Sequence, residues 1–400
     1  MPRILHAAGM LERLYTDLLA VRGWPNIAGM AAVLCGMSGA GCRMAARVSE
    51  GVPPGKITHW PVFGLAYHLR QRRAKTPAEL TGAHLWAGRE FCGRIIRHSL
   101  GNATGVYTFN SAGLELLQYA RRRGLFRVMD QTMPPVELMD RLLAEEQSAF
   151  PGWEEAQADD PYRPELAARQ RGEWDCADLI LCGSEFVRKG IAECGGPVAR
   201  CAVVPYGVEL AVTDLLRAAG ARLRVLIAGG VRLLKGAPYV LQAAQVLKGA
   251  AVFRWCGAVA LLPEATRRLA GHVDLRGPVP RPQMREHYAW ADVFLLPTIC
   301  EGSATVCYEA LAAGLPVITT PNAGSVVRDG IEGFIVPIRD PEAIIDRLER
   351  LARDRELLET MSQQAAQRAQ EFMIEKYGER LIGALEAAWR RQEVPCSEDR

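Results

Sequence analysis

The stretch VFLLPTICEGSATVCYEALAAGLPVITTPNAGSVVRDGIEGFIVP, residues 293–337, decides the fold of this chain. Its first four residues are apolar and end at Pro297, which predicts a fully buried strand. A polar loop containing glycine follows, and we predict a helix at residues 306–313. A second apolar run at residues 316–319 predicts the next strand. Strand, helix and strand in this order are typical of a right-handed βαβ unit in a parallel sheet.

The same alternation extends along most of the chain. Up to residue 205 we predict strands and helices in turn, at residues 3–7, 105–109, 112–123, 126–130, 136–146, 165–175, 179–182, 185 onward and 201–204. The alternation restarts after residue 206, at residues 224–228, 238–247, 252–256, 273–276 and 282–290. Two such series predict an α/β protein of two doubly wound Rossmann-like domains facing a cleft, with ligands beyond the carboxyl ends of the strands. We expect a first domain at 1–205, a second at 206–370, and a C-terminal helix at 371–395 that packs back on the first domain.

The composition is that of a globular protein of 400 residues, with 49% hydrophobic and 23% charged residues and a net charge of +3. It excludes a disordered chain, a disulfide-stapled miniprotein and a collagen-like repeat. The longest apolar run, residues 28–42, is interrupted by glycines and is shorter than the roughly 18 residues that cross a bilayer. Because residues 1–5 lead into no apolar signal-peptide region, we expect a cytoplasmic protein.

The charge is unevenly distributed along the chain. Residues 1–127 contain 17 basic and 6 acidic side chains, a net of +11, whereas residues 128–205 contain 7 and 15, a net of −8. A basic first segment suits a phosphate-bearing acceptor or an anionic membrane surface. The alternative interpretation is a solvated helix face, for example one that includes Arg70, Arg72 and Arg73.

Two glutamates flank the start of the predicted helix in the quoted stretch. Glu301 precedes the loop, and Glu309 follows eight positions later, within the helix. Unpaired N–H groups at a helix start bind anions, and a carboxylate can accept two hydrogen bonds from a sugar diol. The chain contains six glutamate pairs at this spacing, but only this pair spans a strand–loop–helix junction. The alternative is that both side chains belong to a solvated helix end.

A second candidate site lies in the turn after the predicted strand at 224–228. Gly229 and Gly230 follow the strand directly, and Arg232 and Lys235 lie before the next helix. Two cations beside a helix start would neutralise a diphosphate and stabilise it as a leaving group. The alternative is that both are surface charges on a turn.

Motifs of other enzyme classes are absent from the sequence, namely the P-loop, GxGxxG after a strand, HExxH and GxSxG. The glycine-rich residues 36–41 lack the dinucleotide-binding spacing and predict a flexible loop. The eleven cysteines form no CxxC pair, so we interpret them as small buried hydrophobic residues. No DxD sequence occurs either, so we expect no metal and no cofactor, with protein cations in place of a metal ion.

With these residues assembled, the chain resembles glycosyltransferase family 4, which comprises retaining nucleotide-sugar transferases of the GT-B fold and is also called glycosyl transferases group 1. The resemblance is strong from about residue 175 to residue 377 and weak before residue 125. It rests on Ser184-Glu185-Phe186, residues 204–208, Lys235-Gly236, residues 288–292, Glu301-Gly302, Glu309-Ala310, residues 314–318, residues 330–333 and the helical region around Phe372.

The resemblance implies a role for each matching residue. Glu301 would hold the hydroxyls of the donor sugar, Glu309 would bind the ribose diol, and Lys235 would neutralise the diphosphate. Backbone amides would bind the rest of the donor, those of Gly302, Ser303 and Ala304 the sugar and those of Thr305 and Val306 the diphosphate. The donor site would also include Gly229, Gly230 and, near the base, Val279.

The sequence departs from the family pattern at three positions. The family usually has an arginine five residues before the lysine; that position is Gly230 here, and Arg232 would replace it. Only Gly9 is available for the paired-glycine loop of the first domain. The histidine that commonly faces the donor sugar corresponds to the stretch Asp130-Gln131-Thr132, in which Asp130 and Gln131 are candidate sugar contacts.

The sequence therefore predicts a retaining, metal-independent glycosyltransferase of the hexosyltransferase type. It would move a sugar from a nucleotide-diphosphate sugar to a hydroxyl acceptor, saccharide or lipid-linked, in bacterial polysaccharide or glycolipid synthesis. We expect peripheral contact with an anionic membrane at its inner face, and no nucleic acid partner. Two alternatives stay open, a nucleotide-sugar epimerase on the same scaffold and a non-catalytic nucleotide-sugar-binding protein.

Overall fold

The computed structural model describes residues 1–19, 50–156, 159–209 and 222–393 of the chain. The apolar run at 28–42 and the predicted loop at 36–41 lie outside the described residues. The polypeptide forms two compact units. The first unit contains Met1–Asp130, Ala158–Ile180 and Leu381–Arg400, and the second contains Gln131–Gln157 and Leu181–Arg380. The predicted domain limits, 1–205, 206–370 and 371–395, stay predictions.

The described strands and helices alternate over most of the chain. The strands are β1 (Leu14–Thr16), β2 (Ile57–His59), β3 (Gly105–Phe109), β4 (Phe126–Gln131), β5 (Leu179–Cys182), β6 (Cys201–Val203), β7 (Leu223–Ala228), β8 (Ala251–Cys256), β9 (Val273–Gly277), β10 (Val293–Leu296), β11 (Val317–Thr319) and β12 (Gly333–Ile335). The helices are α1 (Pro2–Ala7), α2 (Pro61–Arg73), α3 (Pro77–His98), α4 (Leu114–Arg122), α5 (Val136–Ala149), α6 (Arg163–Cys176), α7 (Glu185–Glu193), α8 (Ala237–Val246), α9 (Pro263–Ala270), α10 (Met284–Trp290), α11 (Thr305–Ala312), α12 (Pro341–Arg353), α13 (Arg355–Gln370) and α14 (Ile374–Glu393).

The second unit is built on a parallel sheet of six strands in the order β12-β11-β10-β7-β8-β9. β7 pairs in parallel with both β8 and β10, with Val225 opposite Val293. From β7 the chain proceeds outward on one side through β8 and β9, and then returns to place β10 on the other side. The order of the strands therefore reverses between β7 and β10, and ligands bind at such a switch point in doubly wound sheets.

The core of this unit lies on both faces of the sheet. Leu226 and Phe294 are fully buried on one face, and Val225 and Leu295 are fully buried on the other. Near-continuous apolar strands are expected where helices cover both faces of a parallel sheet. Each such side chain contributes about 1.5–3 kcal/mol on burial, so the central strands form a rigid base for the loops at their ends.

The other parallel sheet has four strands in the order β3-β4-β5-β6, and β1 and β2 form a separate parallel pair. In the first unit, β3 pairs with β4 so that Gly105 lies opposite Phe126. The ring of Phe126 also meets Trp389 of α14 edge to face, with 5.4 Å between the ring centroids. α14 therefore contributes its residues from Leu381 onward to the first unit.

The predicted strand at residues 3–7 is wrong, because this segment forms helix α1. Pro2 lies in the first turn, where its fixed φ suits a helix, and the amide of Leu5 donates to the carbonyl of Met1. An apolar run this short cannot distinguish a strand from a helix by its periodicity. Helices α2, α3 and α9 and strands β1, β2 and β12 were not predicted. Each of these three helices begins with a proline.

Within the described part of the chain, no helix combines the length and the apolar character that spanning a membrane requires.

Candidate functional site

The two predicted site loops follow the two strands that meet at the switch point. The loop after β7 contains Arg232 and Lys235, and the loop after β10 contains Glu301 and leads into α11. Because β7 and β10 are neighbours in a parallel sheet, their carboxyl ends lie at the same edge. Residues 66 positions apart in sequence, Lys235 and Glu301, thereby come into contact.

Glycines allow these loops to approach each other closely. Gly236 has a φ of +76°, and a Cβ placed there would lie 2.3 Å from the carbonyl oxygen of Pro297. Gly229 has a φ of +117°, and its carbonyl oxygen would lie 1.8 Å from a Cβ at Gly257. The indole N–H of Trp255 donates to that same carbonyl at 2.9 Å. Any side chain at Gly236 would therefore push the two site loops apart.

Lys235 and Glu301 form an ion pair between Nζ and Oε2, with 16% and 18% of their side chains exposed. Nζ of Lys235 would also lie 3.9 Å from a Cβ at Gly229. Burial and the nearby positive charge of Arg232 lower the pKa of Lys235 to about 8. The carboxylate of Glu301 acts in the opposite direction, because contact with an anion favours the charged amine. The predicted lysine and first glutamate are thus brought together by the fold.

The loop that follows Glu301 is held by contacts within the second unit. A Cβ on Gly302 would lie 2.0 Å from the carbonyl oxygen of Thr132, so only glycine fits there. The hydroxyl of Ser184 donates to the carbonyl of Gly302 at 2.5 Å. The hydroxyl of Ser303 lies 2.9 Å from that of Tyr308. The side chain of Ser303 therefore stabilises the loop itself. Glu301 and Ala304 donate their amides to Asn322 and Ala323, so of the loop amides those of Gly302 and Ser303 are the ones left for a ligand.

The start of α11 has the features expected of an anion site. Ala304 is the N-cap residue, its side chain cannot cap the helix, and its own amide donates to Ala323 at 3.0 Å. Thr305 and Val306 are the first two helical residues, so their amides have no acceptor within the helix. Thr305 is exposed. Lys235 contacts Glu301, four residues before Thr305, so the cation lies near this helix start.

Glu309 lies one turn further along α11, and both of its carboxylate oxygens have partners. Tyr288 of α10 donates its hydroxyl to Oε2 at 2.9 Å, and Arg281 donates to Oε1 at 3.1 Å. Tyr288 is buried, whereas the Arg281 side chain is 83% exposed. Burial and the adjacent Glu309 raise the pKa of Tyr288 well above its usual value, so it remains a donor. Tyr288 therefore fixes the orientation of Glu309.

The remaining residues of the predicted donor site surround the same edge of the sheet. The guanidinium Nε of Arg232 lies 3.4 Å from the Cβ position of Gly230, and the Arg232 side chain is exposed. Val279 is half-buried against the apolar cluster on the Phe294 face of the sheet. Glu154 accepts the amide of Leu233 at 2.6 Å, and burial raises its pKa against the opposing charge of Arg232.

The two candidate sugar contacts before residue 132 are buried side chains. In the first unit, Asp130 accepts the hydroxyl of Tyr107 at 2.7 Å, and burial raises its pKa to about 6. In the second unit, Gln131 is fully buried and its amide donates to the carbonyl of Met133 at 2.7 Å. Their proposed contact with the donor sugar stays a prediction.

Sequence reasoning missed the partners of the site residues. Glu154 precedes Leu233 by 79 residues, and no local signal connects them. Tyr288 lies in a segment that contributes to the family resemblance, so its importance could have been recognised, but not its bond to Glu309. Among the described residues, no group of three or more histidine, cysteine or acidic side chains is arranged to hold a metal ion.

Comparison with known proteins identifies relatives of this chain by sequence and by fold. The family model of glycosyl transferases group 1 matches residues 222–354. A D-inositol 3-phosphate glycosyltransferase of Paenarthrobacter aurescens is 29% identical over 259 residues, which cover 56% of this chain and 63% of that protein. The chain thus spans about three fifths of the length of the first two curated relatives that it matches.

Two solved structures share the fold over most of the chain. Sucrose-phosphate synthase from Thermosynechococcus elongatus superposes with a TM-score of 0.61 at 18% identity, covering 77% of this chain and 79% of that one. Anabaena HepE in complex with UDP and glucose superposes with a TM-score of 0.57 at 15% identity, covering 94% and 100%. The fold is therefore that of the GT-B glycosyltransferases, and the residues from 222 to 354, which include Lys235, Glu301 and Glu309, match glycosyl transferases group 1.

Proposed function

We propose that this protein transfers a sugar from a nucleotide-diphosphate sugar to a hydroxyl acceptor, with retention of the anomeric configuration and without a metal ion. The observation that supports it most is the contact of Lys235 with Glu301 beside the uncapped start of α11, at the switch point of the parallel sheet. A cation, a carboxylate and unpaired amides in one place match the parts of a sugar diphosphate.

The donor would be bound from the base to the sugar along this edge. Val279 would lie near the base, and Glu309, oriented by Tyr288, would accept hydrogen bonds from the ribose diol. The amides of Thr305 and Val306 would donate to the diphosphate, next to Gly229 and Gly230. The sugar would contact Glu301 and the amides of Gly302 and Ser303. The amide of Ala304, the third one expected there, already donates to the carbonyl of Ala323.

Lys235 and Arg232 would stabilise the leaving diphosphate. In the transfer, the bond between the anomeric carbon and the diphosphate oxygen breaks, and its electron pair stays on that oxygen. The acceptor oxygen bonds to the same face of the carbon, and its proton passes to the departing phosphate. Donors aimed at the developing charge lower such a barrier by about 3–4 kcal/mol each.

Substrates follow from the relatives only as candidates for the assay. HepE was solved with UDP and glucose, so we propose UDP sugars as the first donors to test. The matched relative acts on D-inositol 3-phosphate, so we propose phosphorylated polyols, saccharides and lipid-linked sugars as acceptors. The predicted role in polysaccharide or glycolipid synthesis, the cytoplasmic location at the inner face of a membrane, and the absence of a nucleic acid partner belong to the same proposal.

The test is an assay of nucleotide release and product formation with each donor, in the presence and absence of a chelator. We expect Lys235→Ala and Glu301→Ala each to reduce transfer by about a hundredfold or more. The matched control is Lys248→Ala, an exposed lysine of the same unit. Variants as active as the wild type would refute the site. Interconversion of sugars without nucleotide release would indicate an epimerase, and donor binding without turnover would indicate a binding protein.

A further inference from the structure

Helix α2 of the first unit exposes an apolar stripe. Val62, Leu65 and Leu69 are 76%, 44% and 41% exposed. Their spacing of three and four residues places them on one face of the helix. The opposite face is anchored, because Phe63 is buried and its ring lies 5.6 Å from that of Trp86 and 5.7 Å from that of Phe91.

The carboxyl-terminal end of α2 is strongly basic. Residues 61–76 contain four basic side chains, Arg70, Arg72, Arg73 and Lys75, and no acidic one. Among the residues that the structure describes, no carboxylate pairs with any of these three arginines. The guanidinium of Arg70 lies 4.2 Å from the ring centroid of Trp86, so its stem covers apolar surface while its charge faces outward.

A groove of about 830 Å³ runs beside this stripe. Its wall includes Leu69, Arg70, Arg73, Trp86, Arg89 and Tyr162. Of its two carboxylates, Glu165 pairs with Arg89, whereas Glu79 accepts the neutral backbone amide of Lys75 at 2.6 Å and keeps its charge. Arg70 and Arg73 outnumber this one carboxylate, so the groove keeps a net positive charge for an outside partner.

We propose that α2 docks this protein on an anionic membrane surface. The stripe of Val62, Leu65 and Leu69 enters the boundary between headgroups and acyl chains, while Arg70 and Arg73 bind lipid phosphates at the groove. A helix with an apolar face and basic flanks lies in the plane of a membrane interface. Such an interface offers anionic groups and apolar chains side by side, which matches the two chemistries of this surface.

Charge favours a membrane over a second copy of the chain. Two copies that met through this stripe would bring their unpaired arginines together, and like charges at an interface repel. Docking does not depend on sugar transfer, so binding is measured without any substrate. A negative result would overturn the proposed membrane location and leave the proposed sugar transfer standing.

The experiment is sedimentation of the full chain with vesicles of phosphatidylcholine alone or mixed with phosphatidylglycerol. We expect binding to the mixed vesicles, weakened by salt. Arg70→Gln with Arg73→Gln should lower the partition coefficient about fivefold per arginine. Val62→Ser with Leu65→Ser and Leu69→Ser should lower it on the order of tenfold per leucine.

Matched controls come from the same chain. Arg121→Gln with Arg122→Gln removes two exposed arginines elsewhere in the first unit and should leave binding within about twofold. Val246→Ser removes an exposed valine from α8, 62% exposed, and should have no effect. Equal binding to both kinds of vesicle, or an equal loss of binding in the arginine control, would overturn the proposal. So would a dimer in light scattering that the serine variant abolishes. A large fall in the Tm of the serine variant would also overturn it, because it would mean that the stripe is covered.

Discussion

At the scale of single residues, Lys235 and Glu301 are each other's counterion while the proposed site has no donor. Each has less than a fifth of its side chain exposed, and an unpaired buried charge is costly. In the proposed complex Lys235 binds the diphosphate, and Glu301 accepts hydrogen bonds from the sugar hydroxyls. Both groups are then paired before and after binding, so the donor replaces one set of partners with another.

The first prediction concerns the pH dependence of transfer. Burial lowers the pKa of Lys235 to about 8 and the ion pair with Glu301 opposes that shift, so the charged form is lost as the pH rises above about 8. We expect kcat/KM, which reports the free enzyme, to fall about tenfold per pH unit above about 8. Lys235→Arg should shift this loss to higher pH, because a guanidinium stays charged. If kcat/KM of that variant fell at the same pH as in the wild type, Lys235 would not be the group that titrates.

The second prediction concerns Tyr288, which we interpret as a positioning residue for Glu309. Tyr288→Phe removes one hydrogen bond to a charged group and should raise KM for the donor about tenfold, with little change in kcat. The matched control is Tyr239→Phe, which removes a 3.0 Å bond to Glu146 in the same unit and does not involve Glu309. Both variants should lose stability, and only Tyr288→Phe should change KM; an unchanged KM would leave Tyr288 a purely structural role.

At the scale of elements, the site depends on the contact between the loop after β7 and the loop after β10. Gly236 is the N-cap residue of α8 and has a left-handed φ of +76° where it approaches the carbonyl of Pro297. Glycine is required here for two reasons. Other residues rarely adopt this backbone conformation, and there is no room for a Cβ.

The third prediction follows from that contact. Gly236→Ala should reduce the free energy of unfolding by about 3 kcal/mol and should also reduce transfer, because backbone strain and a clash with backbone add together. Gly195→Ala is the matched control, since it has a φ of +75° and no atom within 4 Å of the added Cβ. That control should cost only about 1–2 kcal/mol. Urea unfolding measures both; equal costs would show that the loops can move apart freely.

At the scale of the whole molecule, residues 131–157 contribute to the core of the second unit, although they precede its sheet by many residues. Leu138, Leu142 and Trp153 belong to the same apolar cluster as Val225 and Ile227 of β7. Glu146 of α5 is fully buried and accepts Tyr239 at 3.0 Å and Arg339 at 2.6 Å.

The fourth prediction tests this assignment through two adjacent glutamates. Glu146→Ala should lower the free energy of unfolding by about 2–3 kcal/mol, because it leaves the buried hydroxyl of Tyr239 without its acceptor and removes the buried partner of Arg339. Glu145→Ala removes an exposed partner of the same arginine and should cost about 1 kcal/mol or less. Urea unfolding followed by tryptophan fluorescence compares the two. Equal effects would mean that α5 is not part of this core.

Much of the architecture could be predicted from local sequence. The alternation of apolar strands with helices indicated the α/β class, and the helix predicted from residue 185 onward does begin at Glu185. Strand β5 was predicted with its observed limits, and β10 likewise. The segment at residues 3–7 was assigned wrongly, because an apolar run this short is compatible with either a strand or a helix.

The sequence by itself determined the elements and the chemical character of the site, since a buried strand, a glycine turn, a lysine and two glutamates are recognisable locally. Only the tertiary structure decided that β10 returns beside β7, which brings Lys235 to Glu301 across 66 residues. It also decided that Tyr288 orients Glu309 and that Thr132 packs on Gly302. Strand order and side-chain partners depend on contacts between segments that are distant in sequence. Such contacts stabilise the protein only once the sheet has formed, so local sequence does not reveal them.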